Sequence, residues 1–124
     1  MSLINLEDYF NRGELESAPS VSETGLNDLH IAQFYRIPFE NLDIHLARGI
    51  NIDSASIVQK LVYHKRGGYC FELNGLMLLV LRELGFEARP LLARVHMGKP
   101  PSGRTHQLNL VAINNRNWII DVGF

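Results

Sequence analysis

The sequence predicts an α+β fold, with an N-terminal helical bundle followed by an antiparallel sheet, and three observations predict it. First, apolar residues before Gly85 recur at helical spacing; Ile57, Val58, Leu61 and Val62 share one face. Second, from Phe86 the character changes: Thr105 to Ile113 and Arg116 to Val122 read as strands flanking Asn114-Asn115, a two-residue connection that tolerates positive φ. Third, 124 residues with 46% hydrophobic and 20% charged residues suit one globular unit with a real core. Residues 1–85 are therefore expected as a helical part and 86–124 as the strands.

Several function classes are disfavoured by the totals. A net charge of −1 gives no electrostatic case for nucleic acid or an anionic membrane. One cysteine excludes an intramolecular disulfide, and no Cys/His cluster suggests a metal. The longest apolar run, Leu76 to Leu81, is too short to span a bilayer, and Met1 to Phe10 lacks an apolar signal core. The expected setting is a reducing cytoplasm.

In chain order, Asn5 caps a short helix through Phe10, and Asn11 to Ser22 is loop-like. Thr24 is expected to cap a second helix with Leu26, Leu29, Phe34 and the body of Tyr35 on its apolar face, stopped by Ile37-Pro38. His30 lies in that helix as a surface or packing residue. Pro38 to Asp43 is irregular, its polar groups expected in hydrogen bonds. Asp53 caps a third helix, with Lys65 and Arg66 in its last turn and Gly67 ending it. A fourth, mostly apolar helix runs from Cys70 to Leu84, where Gly85 stops it. Phe86 to Val95 reads as a strand that Pro90 confines to an edge or bulge, and Gly98 to Arg104 as a Gly/Pro loop.

The chemistry centres on Arg66-Gly67-Gly68-Tyr69-Cys70-Phe71-Glu72-Leu73-Asn74. Cys70 falls in the first turn of the fourth helix, where unpaired N–H groups and the positive end of the macrodipole favour a thiolate. The alternative is a small packing hydrophobe, the common role of a free cysteine. What distinguishes them is a base within reach. A turn at Asn114-Asn115 pairs Ile113 with Arg116, which puts His106 opposite Gly123 and Asp121 opposite Leu108. His106 and Asp121 then share a face as diagonal neighbours, roughly 7–8 Å apart at Cα. A carboxylate at that distance can fix the imidazole tautomer and leave the other ring nitrogen to take a thiol proton. The alternative is a buried polar pair of no chemical use. His96 is a rival base without an acidic partner, and His45 and His64 read as surface residues.

These residues resemble the arylamine N-acetyltransferase family. The stretch around Cys70 looks like that family's signature at its nucleophile, and Ile37 to Asp43 is similar to its second marker. Thr105-His106 and Asp121-Val122-Gly123-Phe124 match the surroundings of its histidine and aspartate, although Asn11 to Ser20 lacks the expected pattern. The resemblance implies a papain-like Cys-His-Asp core in which Cys70 takes acetyl from acetyl-CoA as a thioester and passes it to an arylamine, hydrazine or arylhydroxylamine. His106 would handle the proton and Asp121 would orient His106. It further implies Phe39, Phe71 and Phe124 as candidates for the wall of an aromatic pocket, against ordinary packing. Glu40, Asn41 and Arg66 would form a supporting polar cluster, with Arg66 gripping Glu40 in bidentate fashion.

Family members are much longer, with a β-barrel domain and a C-terminal lid. The chain is accordingly expected to be a C-terminally truncated form, with impaired CoA affinity and an open sheet edge. Two other readings stay open. One is a Cys-His-Asp hydrolase or transglutaminase-like enzyme, disfavoured by the Cys70 signature. The other is a non-catalytic fragment that self-associates or binds a partner through the open edge.

Overall fold

The computed structural model describes residues 2–96, 98 and 103–124. Five α-helices precede three strands: α1 (Leu6–Arg12), α2 (Glu23–Arg36), α3 (Leu42–His45), α4 (Ser54–Val58), α5 (Cys70–Leu84), then β1 (Glu87–Ala93), β2 (His106–Ile113) and β3 (Arg116–Ile120). The helices-then-sheet order is the one expected. Residues 99–102 of the predicted Gly/Pro loop lie outside the described residues.

Helix α5 is the axis. Leu73, Leu76, Met77, Val80 and Leu81 are fully buried, packed with Leu26 and Leu29 of α2, Ile57 and Leu61 below, and Val111, Ile113 and Ile120 of the sheet. Its termini are those read from the sequence: Cys70 is the first helical residue, and Gly85 closes it at φ 100°.

Asn5 and Asp53 cap α1 and α4 as expected, their side chains accepting from the N–H of Asp8 and Ser56. The irregular stretch expected over Pro38 to Asp43 gives way to α3 from Leu42, and three further local expectations fail. The cap of α2 is Ser22, which accepts from the Gly25 N–H, and Thr24 is already inside the helix. Phe34 and Tyr35 are 50% and 75% exposed, while Gln33 is buried in their place. Its amide accepts from the Tyr9 hydroxyl at 2.8 Å and donates to the Leu73 carbonyl at 2.8 Å, so a polar side chain fills an apolar-facing position fully bonded. Third, Lys65 and Arg66 do not end the third helix. Helix α4 widens into a π-helical turn, Gln59–Tyr63, and stops at His64, with Lys65 at φ 53°.

Between the two glycines and the loop 38–40 the backbones pass at close quarters. The Gly68 N–H donates to the Pro38 carbonyl and the Glu40 N–H to the Gly68 carbonyl, a one-residue parallel bridge. A Cβ on Gly67 would stand 2.0 Å from the Pro38 carbonyl oxygen. Glycine is therefore required by proximity; neither residue has positive φ.

The sheet is antiparallel in the order β1-β2-β3, with Pro90 on an outer strand. Asn114 and Asn115 take φ 50° and 62°, and Ile113 pairs with Arg116 in the register read from the turn. The ladder ends at Asn109↔Ile120, so Asp121 and Gly123 extend just beyond it. Among the described residues no helix is long and apolar enough to cross a membrane.

Candidate functional site

At the mouth of α5 the chain after β3 lies back on the helix start. Gly123 makes this possible: a Cβ there would come within 2.9 Å of the Cys70 Cα. The segment is bonded in place by Asn74, one helical turn after Cys70 and on the same face. The Asn74 Nδ2 donates to the Gln107 carbonyl (2.7 Å) and to Asp121 Oδ1 (2.9 Å), and its Oδ1 accepts from the Val122 N–H (3.0 Å). One amide thus ties α5 to both strands of the hairpin.

His106 and Asp121 meet as the register predicts: Nε2 donates to Asp121 Oδ2 at 2.6 Å. Asp121 Oδ1 also accepts from the Gly123 N–H, and the Asp121 carbonyl accepts from His30 Nε2 at 3.1 Å, so His30 is a packing residue with a defined partner. Burial pushes the Asp121 carboxyl up, but the bonds from Asn74, His106 and Gly123 outweigh it and hold it below the usual carboxylate range.

Cys70 is 7% exposed. Its thiol donates to the Thr105 carbonyl at 3.7 Å, one residue before His106, and not to the imidazole. No hydrogen bond joins the thiol to the imidazole here, although the sulfur reaches the strand end that carries the ring. The Phe124 ring packs edge-on against His106 at 5.2 Å and is 80% exposed. Phe71 is half-buried with its ring 5.5 Å from that of Tyr69, and Phe39 is exposed.

Beneath the helix start sits an ion cluster larger than the sequence suggested. Arg66 grips Glu40 through Nε and Nη2 as expected, and also reaches Asp43 Oδ1 at 3.1 Å. Lys60, which no motif in the sequence marks, pairs with Asp43 Oδ2 and Glu72 Oε2, each at 2.8 Å. Asn41 stands apart: it precedes α3 and makes no side-chain bond to that helix. Lys60 and Arg66 hold the Asp43 carboxyl below its ordinary range. The Asp53 carboxyl is lowered by its cap bonds to Ser56.

Depressed carboxylates fix a sign for acid behaviour. In the window below about pH 4 the unfolded chain binds more protons than the folded one, so stability falls as pH falls there. The expected result is a urea midpoint steady near neutrality and declining below about pH 4. A midpoint that rises on acidification would contradict the bonded carboxylates.

Comparison with known proteins gives this arrangement a family. The model of the N-acetyltransferase family matches residues 24–124. The chain belongs to that family. It is similar to an arylamine N-acetyltransferase of Escherichia coli, 49% identical over 121 residues, which are 96% of this chain and 43% of that protein. The solved arylamine N-acetyltransferase of Salmonella typhimurium superposes with a TM-score of 0.93 at 44% identity, covering 100% of this chain and 45% of that one. A Bacillus cereus arylamine N-acetyltransferase, whose structure reveals a Cys-His-Glu catalytic triad, superposes at 0.86 with 27% identity, over 94% of this chain and 47% of that one. The mixed helical and antiparallel fold is therefore that of N-acetyltransferase structures, and the chain spans less than half the length of these relatives.

Proposed function

We propose that the chain carries the acyl-accepting half of an arylamine N-acetyltransferase site, with Cys70 as nucleophile, His106 as proton carrier and Asp121 as the group that orients His106. The observation that carries the reading is the His106 Nε2–H···Asp121 bond at 2.6 Å, held beside the first turn of the Cys70 helix by Asn74 and Gly123. With Nε2 committed as a donor, Nδ1 is the ring atom left to accept a proton. The thiol's contact to Thr105 does not oppose this, since catalytic hydrogen bonds are often poorly aligned before substrate binds. A Cys-His-acid triad in the Bacillus cereus relative supports the same assignment here.

In the proposed reaction the Cys70 sulfur attacks the thioester carbonyl of acetyl-CoA. A new C–S bond forms, the bond to the CoA sulfur breaks, and the proton taken by His106 leaves with the CoA thiol. The amine nitrogen of an arylamine, hydrazine or arylhydroxylamine then attacks the acetyl-cysteine, giving its proton to His106 and restoring the Cys70 thiol. Exposed Phe39 and Phe124 and half-buried Phe71 are proposed to face the aromatic acceptor. Residues 1–85 would act as the helical part that carries the nucleophile and 86–124 as the strands that bring His106 and Asp121 to it.

Intact-mass spectrometry after incubation with acetyl-CoA tests the reading. One acetyl group on the wild-type chain and none on Cys70→Ala is the expected result. No adduct together with amide hydrolysis would favour the hydrolase reading. No chemistry together with concentration-dependent association would favour a binding role for the free edge of β3.

A further inference from the structure

Glu72 is 2% exposed in the first turn of α5, two positions after Cys70. Its Oε1 accepts from the Tyr69 N–H at 3.1 Å, closing the start of the helix that presents the sulfur. That cap carries a hidden difficulty. A buried carboxylate next to a cysteine opposes formation of a second negative charge there. The cluster contains three carboxylates, Glu40, Asp43 and Glu72, against two cations, Lys60 and Arg66. Arg66 is occupied by Glu40 and Asp43; the ammonium on the second oxygen of Glu72 is that of Lys60. Lys60 itself arrives from the π-helical turn Gln59–Tyr63, whose widened geometry is an irregularity in an otherwise ordinary helix.

We propose that Lys60 is a positioning residue for the Cys70 thiolate: it neutralises Glu72, so that a buried carboxylate can fix the helix start without repelling the charge on the sulfur. This deepens the reading of Cys70 as nucleophile and rests on it. Lys60 pairs with carboxylates and not with the sulfur, and it acts through Glu72. The charged and titratable groups around Cys70 are Tyr69 just before its helix and Glu72 in the helix's first turn, His106 and Asp121 from the hairpin, and Lys60, Arg66, Glu40 and Asp43 from below. Among the described residues, the Lys60–Glu72 pair is the ion pair that joins the lower group to the helix start.

Opposite substitutions in the pair give opposite signs. Lys60→Met leaves Glu72 unneutralised and is expected to raise the midpoint of Cys70 alkylation against pH by about one unit, a roughly tenfold loss of thiolate at a pH below both midpoints. Glu72→Gln keeps the acceptor for the Tyr69 N–H and removes the charge, so the midpoint is expected to fall. Lys60→Arg is expected to match the wild type, and the double variant to return close to it. Far-ultraviolet circular dichroism establishes that each variant is folded, and Glu72→Gln carries the test alone if Lys60→Met is not. Unshifted midpoints, or shifts of the same sign in both single variants, would overturn the inference. A wild-type midpoint near the ordinary value of about 8.5 would instead count against the activated nucleophile, whichever way the variants move.

Discussion

Replacing Asn74 by alanine is expected to damage both stability and the site more than any other substitution on α5 after Cys70. The substitution strips three hydrogen bonds at one stroke and leaves the Val122 N–H and the Gln107 carbonyl without their partner. Each orphaned buried group costs about 1–3 kcal/mol, so a loss of about 3 kcal/mol is expected in urea unfolding. Asp121 also loses a donor, which moves its carboxyl toward the usual range and makes its share of the acid decline in stability smaller. Asn74→Asp separates the roles of shape and charge. It sets a second carboxylate where the amide now stands, 2.9 Å from Asp121 Oδ1. Two carboxylates that close cannot both ionise without penalty, so the folded state binds a proton the unfolded state does not. Stability of Asn74→Asp should therefore improve as pH falls from 7 toward about 5, a range over which the wild type stays steady. A variant with wild-type urea midpoint and pH profile would show that Asn74 does not hold the hairpin to the helix.

Asn74 also marks where the sequence was readable and where it was not. It stands four residues after Cys70 in a mostly apolar helix, so its place on the Cys70 face was available from spacing alone. What spacing lacked was a partner, because the Val122 N–H and the Gln107 carbonyl are backbone groups that carry no sequence signal. Local signals did better. The caps at Asn5 and Asp53, the Gly85 stop and the Asn114-Asn115 turn depend on a few adjacent residues, and each stands where it was expected.

The His106–Asp121 contact was legible for the same reason, since the turn alone sets the register. Failures came where distant packing chose between local options. Ser22 and not Thr24 caps α2 because Gly25, lodged where a Cβ would meet the Ser20 carbonyl at 1.8 Å, is already in the first turn. Gln33 displaces Phe34 from the core because Tyr9 and Leu73 satisfy its amide across the bundle. The place of Lys60 is not legible in the sequence because a π turn slips the helical period, and a 3.6-residue pattern cannot show which way the slipped side chain turns.

Substituting Asp121 by asparagine is the other change expected to have a large effect, and it acts almost without altering shape. The carboxylate accepts from three donors: Asn74 Nδ2 and the Gly123 N–H on Oδ1, and His106 Nε2 on Oδ2. An asparagine has one acceptor oxygen. If that oxygen stays with Asn74 and Gly123, its NH2 faces His106, and Nε2 must become an acceptor. The ring proton then sits on Nδ1, the nitrogen proposed to receive the Cys70 proton. If the amide turns over, two donors on the Oδ1 side are left facing an NH2. The first arrangement loses one hydrogen bond's polarity at the imidazole; the second loses two at the hairpin, so the wrong tautomer is the expected outcome. By analogy with the corresponding change in serine hydrolases, acetyl transfer should fall about 10³–10⁴-fold, with Cys70 alkylation at neutral pH reduced in parallel. Circular dichroism should remain that of the wild type, since the Asn74 bonds survive. Unchanged alkylation and acetylation in a folded Asp121→Asn chain would mean that the carboxylate serves the hairpin alone, and that proton transfer at Cys70 needs no oriented imidazole.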